Sequence, residues 1–181
     1  MNIGQQKKDV KYKGTGFVLG VGYETELEIE NEKIEVKAEY ASGSGDDTET
    51  TADNEAFISF GNDYRYGEVY GKGLFGLGGN VGITNQTIIA LEAGLEAGFV
   101  SSAILNSKFG ISVGYYMFDL TKVPSGAEKN LGKEIDLNVK YNLTKDVRLC
   151  LTYGRFTPGK ALEGIGKDAA NVLAMNLNVK F

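Results

Sequence analysis

Apolar and polar residues alternate with a period of two along most of this 181-residue chain. In the clearest run, residues 133–143, the apolar positions are Ile135, Leu137, Val139, Tyr141 and Leu143, and the positions between them are Glu134, Asp136, Asn138, Lys140 and Asn142. A β-strand points successive side chains to opposite faces, so this run predicts a strand with one apolar and one fully polar face. No segment has a convincing helical period, and the chain is therefore predicted to be all-β.

Six further runs carry the same alternation, at residues 16–30, 33–40, 87–99, 108–115, 147–153 and 173–181. An even number of strands needs one more, which we expect within residues 5–13. Residues 57–83 are compatible with one or two strands or with a large folded loop. Short connections, near residue 31 and at 101–106 and 144–146, alternate with long ones at 42–56, 121–130 and 157–170. Outer-membrane barrels are organised in this way.

The alternation alone does not decide which face meets water, because a soluble β-sandwich or a lipocalin-like barrel alternates too, with its apolar face inward. Three features favour the inverted arrangement, with the apolar face outward. Glycine, at 25 residues about double its average usage, is frequent on the polar faces, where a solvated surface does not need it. Aromatic residues cluster at the strand ends, as in the girdles of membrane barrels. The chain ends on Phe181, preceded by apolar residues at every second position.

The composition excludes several function classes. The formal net charge of −5 and the lack of a long basic run argue against a nucleic-acid partner. The chain has no histidine and one cysteine, which rules out a Ser-His-Asp triad, an intrachain disulfide and a cysteine-cluster metal site. We therefore predict no enzyme activity, no cofactor and no metal. No run of 18 apolar residues predicts a transmembrane helix, and the polar N-terminus is not typical of a signal peptide.

Several segments resemble the alginate-export family of bacterial outer-membrane β-barrels. Residues 131–137 contain a Gly-x-Glu-x-Asp strand, residues 141–146 a short turn, and residues 153–159 a Phe-x-Pro-Gly exit, all similar to the family. Residues 40–47 fit the family's strand-to-loop segment, and the stretches 57–61 and 64–67 fit the part of the family after that loop. The resemblance covers most of this chain, but only the C-terminal part of the family's length.

The resemblance implies an antiparallel transmembrane β-barrel in the outer membrane of a Gram-negative bacterium, with short periplasmic turns, long extracellular loops and a passive, porin- or exporter-like transport function. It also implies that the barrel-assembly machinery recognises the strand ending at Phe181. Residues 1–181 have room for about eight strands, so they form either one small barrel domain or the C-terminal part of a larger barrel. An eight-stranded barrel is just filled by its side chains. In that alternative, the protein has a structural or surface-interaction role through its long loops.

Export of a polyanion implies a basic lumen, whereas the predicted lumen has mixed charges. We therefore expect the solutes to be small molecules or a polysaccharide, and the mixed charges argue against alginate itself. The residues predicted to line the lumen are Lys37, Glu39, Glu92, Glu96, Glu134, Asp136, Lys140, Arg148 and Arg155. Glu134 and Asp136 lie about 7 Å apart on one side of a strand, a spacing that could also suit acid/base chemistry. We expect instead an ion-pair network with Lys140 and Arg148, because an unpaired buried charge costs several kcal/mol.

Overall fold

The computed structural model describes residues 11–27, 32–46, 53–58, 65–72, 82–99 and 107–181. Nine strands are present in this part of the chain: β1 (Lys11–Tyr12), β2 (Gly16–Leu27), β3 (Glu32–Gly43), β4 (Asp53–Asn54), β5 (Gln86–Phe99), β6 (Ser107–Leu120), β7 (Asn130–Asn142), β8 (Val147–Pro158) and β9 (Ala170–Val179). Seven of them form one antiparallel sheet in the order β2-β3-β5-β6-β7-β8-β9. These strands correspond to the seven alternating runs, so the all-β antiparallel fold is confirmed.

The sheet is open in the described part of the chain, because its edge strands β2 and β9 pair only with β3 and β8. The eighth strand expected within residues 5–13 is not seen in the sheet. Instead, Lys11 and Tyr12 of β1 form a short parallel pair with Asp53 and Asn54 of β4. Residues 5–10 lie outside the described residues. The sheet therefore has seven described strands rather than about eight.

The two faces of the sheet differ in the way that the alternation predicts. We call the side that carries Glu134 and Asp136 the polar face, and the side that carries Ile135 the apolar face. Residues directly opposite in an antiparallel pair share a face, so the strand register assigns every other residue. The apolar face is exposed: 70% of Leu19, on edge strand β2, and 72% of Leu173, on edge strand β9, are accessible to solvent. Among the described strands, no second sheet packs on the apolar face as it would in a sandwich.

The connections differ in length between the two ends of the sheet. Residues 44–85, 121–129 and 159–169 join strands at one end, which we call the long-loop end. Residues 28–31, 100–106 and 143–146 join strands at the other, the short-turn end. The predicted alternation of short and long connections is confirmed.

The core lies on the polar face at the long-loop end. Phe118 and Phe156 are almost completely buried there, and a single π-helical turn, Gly67–Gly71, packs over them. Burying one such ring completely contributes about 1.5–3 kcal/mol. The other buried apolar residues are Ala41, Val69, Ile83, Ile88, Ala90, Tyr116 and Leu131.

Helical structure in the described residues consists of the turn Gly67–Gly71 and a 3-10 turn at Lys160–Leu162. No helix of this part of the chain is long and apolar enough to cross a membrane. The turn Gly67–Gly71 lies within residues 57–83, for which the sequence allowed either strands or a folded loop. The described residues of that segment form this turn and no strand, whereas residues 59–64 and 73–81 lie outside the description.

Candidate functional site

Two acidic side chains, Glu134 and Asp136, are buried on the polar face of β7. Their exposed fractions are 0% and 1%. The strand alternation points both to the same side, and the register puts Tyr116 and Phe156 next to Glu134. A carboxylate that leaves water costs several kcal/mol unless hydrogen bonds replace its hydration. The two side chains therefore require donors.

The donors are three consecutive backbone N–H groups of the turn Gly67–Gly71. Val69 N donates to Glu134 Oε1 at 2.6 Å, and Tyr70 N donates to Glu134 Oε2 at 2.9 Å. Glu68 N donates to Asp136 Oδ2 at 2.9 Å. Each such hydrogen bond contributes about 0.5–1.5 kcal/mol, and a buried donor or acceptor without one is costly. The acidic pair therefore fixes the turn to the polar face.

Two glycines allow the turn to approach the sheet this closely. Gly67 has a φ of +84°, which favours glycine, and a Cβ at this position would lie 2.7 Å from the carboxyl carbon of Glu134. A Cβ at Gly154, on β8, would lie 2.7 Å from Asp136 Oδ1 and 3.0 Å from a methyl carbon of Val69. A larger side chain at either position would displace the turn or the acidic pair.

Tyr70 holds the turn through ring contacts. Its ring centroid lies 4.4 Å from that of Phe118 and 5.1 Å from that of Phe156. Such aromatic pairs contribute about 0.5–1.5 kcal/mol beyond the burial of their area. Burial also raises the pKa of the Tyr70 phenol to about 12, so the ring is uncharged at neutral pH.

Beside the turn, the polar face leaves a cavity of about 580 Å³. The wall that the sheet contributes includes five residues predicted to line a lumen: Lys37, Glu39, Glu92, Asp136 and Lys140. Lys37 Nζ pairs with Glu39 Oε2 at 2.6 Å, and the Tyr116 hydroxyl donates to Glu92 Oε1 at 2.8 Å. Gly94 and Gly114 also line the cavity and add no side chains to it.

The other predicted lumen residues lie in different environments. Glu134 lies beneath the turn, and Glu96 Oε1 pairs with Lys108 Nζ at 3.1 Å. Arg148 Nε donates to Asn142 Oδ1 at 2.8 Å. Arg155 lies directly opposite Ile135, so the register places it on the apolar face. Its assignment to the polar lining is therefore corrected.

The ion-pair network expected between the acidic pair and Lys140 and Arg148 does not form among the described residues. Lys140 is four residues from Asp136 on the same strand, a rise of about 13 Å. Backbone N–H groups of the turn bind the carboxyl groups instead. Main-chain donors thus bind both carboxyl oxygens of Glu134 and one of Asp136, whereas Asp136 Oδ1 is buried without a hydrogen-bond partner among the described residues. No pattern of side-chain charges reveals these main-chain bonds.

The sequence pattern did not identify the turn as part of the site. Its segment also contributes Arg65, Glu68 and Lys72 to the cavity wall. The available signal was local: Gly67 and Gly71 bracket Val69-Tyr70 in a stretch that lacks the period of two. The described residues contain no group of three or more His, Cys, Asp or Glu side chains placed to hold a metal ion.

Comparison with known families gives a match to a family described as alginate export. Its sequence model covers residues 2–176, which includes the buried acidic pair, the turn and strands β1–β8. No curated protein matches the chain.

Proposed function

The chain belongs to the alginate export family, and on this premise we propose that it is a β-barrel of the bacterial outer membrane that acts as a passive, porin- or exporter-like channel. The family is one of transport proteins rather than enzymes, and the all-β antiparallel sheet agrees with the family's barrel architecture. The proposal includes three statements: that the protein lies in the outer membrane, that its lumen is open, and that solutes pass through it.

The observation that carries the proposal is the exposed apolar face. Val21 on β2 and Met175 on β9 are each 72% accessible, and Leu91 on β5, inside the sheet, is 46% accessible. Soluble monomers rarely expose apolar patches of more than a few hundred Å². A membrane barrel has lipid-facing apolar residues that alternate with polar, lumen-facing ones. The charged and small residues around the cavity fit that second role.

Membrane insertion would also require the barrel to close, because the hydrocarbon region leaves no water for unpaired strand edges. Strands β2 and β9 have such edges in the described part of the chain. Closure is therefore part of the proposal, and so is recognition of the C-terminal strand by the barrel-assembly machinery. Phe181 is fully exposed and available to such a partner. We expect Phe181→Ala to lower the amount of protein in outer-membrane fractions without changing its synthesis.

Two measurements test the channel. In detergent, a closed barrel migrates differently on a gel before and after heating, and monomeric behaviour in plain buffer would favour a soluble β-domain instead. Refolded protein in a planar lipid bilayer should give discrete conductance steps. If well-folded, heat-modifiable protein gives no conductance steps, the channel function is contradicted, whereas the barrel fold is not.

A second candidate, a barrel with a filled interior that acts as a structural or surface-interaction protein, is supported by the turn Gly67–Gly71. The turn occupies the polar face at the level of the acidic pair, and its Tyr70 packs against Phe118 and Phe156. In that case the long loops carry the function. Absence of conductance from both the wild type and a turn-weakened Glu134→Gln variant would favour it.

A further inference from the structure

The apolar face of the sheet ends before its strands do. On β3 and on β5–β9, the residues of this face change from apolar to polar near the long-loop end. The last apolar residues are Tyr40, Ile89, Met117, Ile135, Tyr153 and Leu173. The polar residues that follow them on the same face are Ser42, Thr87, Asp119, Lys133, Arg155 and Asn171. The apolar residues therefore form a band, and we call the line of these polar residues its long-loop boundary.

The long-loop boundary crosses the sheet at an angle to the rows of residues that lie directly opposite one another. On β3 the boundary residue is Ser42, whereas on β9 it is Asn171, which belongs to the row of Ala38. That row consists of Ala38, Leu91, Tyr115, Ile135, Arg155 and Asn171. Ala38 and Ser42 are four positions apart on β3. Between β3 and β9, the boundary thus shifts by four residues along the strands.

This shift gives the tilt of the strands relative to the band. Four residues rise by about 13 Å, and the five steps from β3 to β9 span about 24 Å. The strands therefore cross the band at about 30° from its normal, close to the tilt of about 35–45° in outer-membrane barrels. On β6 the band extends from Phe109 to Met117, a height of about 23 Å at this tilt, and membrane barrels have a band of about 25 Å. The band thus has the geometry of a lipid layer that tilted strands cross.

Charged residues on the apolar face of the described strands lie only at the limits of the band. They are Glu32, Asp119, Lys133 and Arg155. Glu32 lies at the short-turn end, and the other three lie on the long-loop boundary. The amide of Asn130 donates to Asp119 Oδ1 at 3.0 Å, so this acid already has a partner. The boundary therefore carries two cationic groups, on the neighbouring strands β7 and β8.

Lys133 and Arg155 are close enough to act on the same group. Lys133 lies opposite Thr157, two positions beyond Arg155, so the two cations are diagonal neighbours about 7–8 Å apart. Both residues are exposed, and neither side chain has an ion pair or a hydrogen bond within the described residues. Their long side chains can converge on one anion. At the boundary of a lipid layer, the anionic groups are those of the headgroups.

We propose that Lys133 and Arg155 bind the phosphate group of an anionic lipid headgroup on the outside of the barrel, at the long-loop end. The proposal rests on the proposed function, since it requires a lipid layer around the sheet. The guanidinium of Arg155 can donate two parallel hydrogen bonds to a phosphate, and Lys133 adds a second positive charge. Each basic residue at a membrane surface strengthens the binding of anionic lipid by about fivefold. Arg155, which the sequence pattern assigned to the lumen, thus acts on the opposite face.

The test is native mass spectrometry of the refolded full chain, released from detergent micelles and titrated with one lipid at a time. We expect anionic phosphatidylglycerol to bind more tightly than zwitterionic phosphatidylcholine. Arg155→Gln and Lys133→Gln should each weaken the binding of phosphatidylglycerol by about fivefold, and the double variant by about 25-fold. Inorganic phosphate should not displace the lipid, because it lacks the acyl chains that pack on the apolar band.

The matched controls are Lys140→Gln and Arg148→Gln. They remove the same two residue types from the same two strands, but on the polar face. Both control variants should bind phosphatidylglycerol as tightly as the wild type does. Losses as large as those of Lys133→Gln and Arg155→Gln would show that any cation has this effect, and would overturn the site.

The outcomes separate the lipid site from the proposed function. Unchanged binding of phosphatidylglycerol by the double variant, or equally tight binding of phosphatidylcholine by the wild type, contradicts the lipid site but not the membrane barrel. Displacement of the lipid by inorganic phosphate would identify a site for the free ion and would also overturn the proposal. Protein that is monomeric in plain buffer and not heat-modifiable contradicts both. If one of the two single variants does not fold, the other decides, since each has its own predicted fivefold loss.

Discussion

The replacement of Glu134 by glutamine tests the contact between the acidic pair and the turn. Glu134 is completely buried, and both of its carboxyl oxygens accept backbone N–H groups, from Val69 at 2.6 Å and from Tyr70 at 2.9 Å. Glutamine has nearly the same shape but only one acceptor oxygen. Its NH₂ group would point at one of the two N–H groups, so one buried donor would lose its acceptor.

The magnitude follows from those two bonds. A hydrogen bond to a charged group contributes about 1.5–3 kcal/mol, and a buried donor left unsatisfied costs about 1–3 kcal/mol. Both ranges include the loss of the same hydrogen bond, so they cannot simply be added. We expect the free energy that holds the turn against the sheet to fall by about 3 kcal/mol. The ratio of docked to undocked turn should fall on the order of a hundredfold. The sheet should be unaffected, since the change removes no strand-to-strand hydrogen bond.

Hydrogen exchange of the protein in detergent, followed by mass spectrometry, measures this ratio directly. Peptides that contain residues 65–72 should exchange on the order of a hundredfold faster in Glu134→Gln, and peptides of β7 and β8 should not change. The matched control is Glu96→Gln, which removes the exposed pair with Lys108 and should cost less than about 1 kcal/mol. Unchanged exchange at Val69 and Tyr70 in a folded variant would refute the docking role of Glu134.

Three further predictions concern other parts of the site and the sheet. Gly154→Val should lower the thermal stability in detergent by about 1–3 kcal/mol, because its Cβ would meet Asp136 and Val69; an unchanged melting temperature would show that the turn can move aside at no cost. Tyr70→Ala should cost about 3–5 kcal/mol in urea unfolding, whereas Tyr70→Phe, which keeps the ring contacts, should be nearly neutral. Leu151→Lys, on the apolar face, should reduce folding into liposomes by about 2–4 kcal/mol, and Thr152→Lys, its neighbour on the polar face, should not; equal effects would argue against a lipid-facing surface.

The strands could be predicted from the sequence because the alternation within each strand shows which of its residues lie on each face. The run 133–143 needs no partner to show that Glu134 and Ile135 point to opposite sides. Arg155 obeys the same rule: it lies two positions after Tyr153 on β8, and it lies opposite Ile135 on the apolar face. Counting positions back to Tyr153 would have placed it correctly.

The turn and its contacts could not be predicted in the same way. Its donors are backbone N–H groups, which every residue but proline has, so they leave no mark in the sequence. Glu134 and Asp136 were recognisable as an acidic pair, but Val69 and Tyr70, whose N–H groups bind Glu134, are 65 and 64 residues away from it in the chain. Lys140 and Arg148 were predicted as partners of Glu134 and Asp136 because side-chain charges can be read directly from the sequence, whereas main-chain donors cannot.

Within the part of the chain that the structure describes, nothing covers the exposed apolar face of the sheet. In a soluble sandwich, a second sheet of similar size would cover it. The described strands are all used in the one sheet or in the short β1–β4 pair, and the polar face holds the turn and the core. The described strands therefore supply no second sheet that could cover the apolar face. Lipid suits a face whose apolar side chains extend from β2 to β9, because it needs no matching surface and can surround the whole width of a sheet.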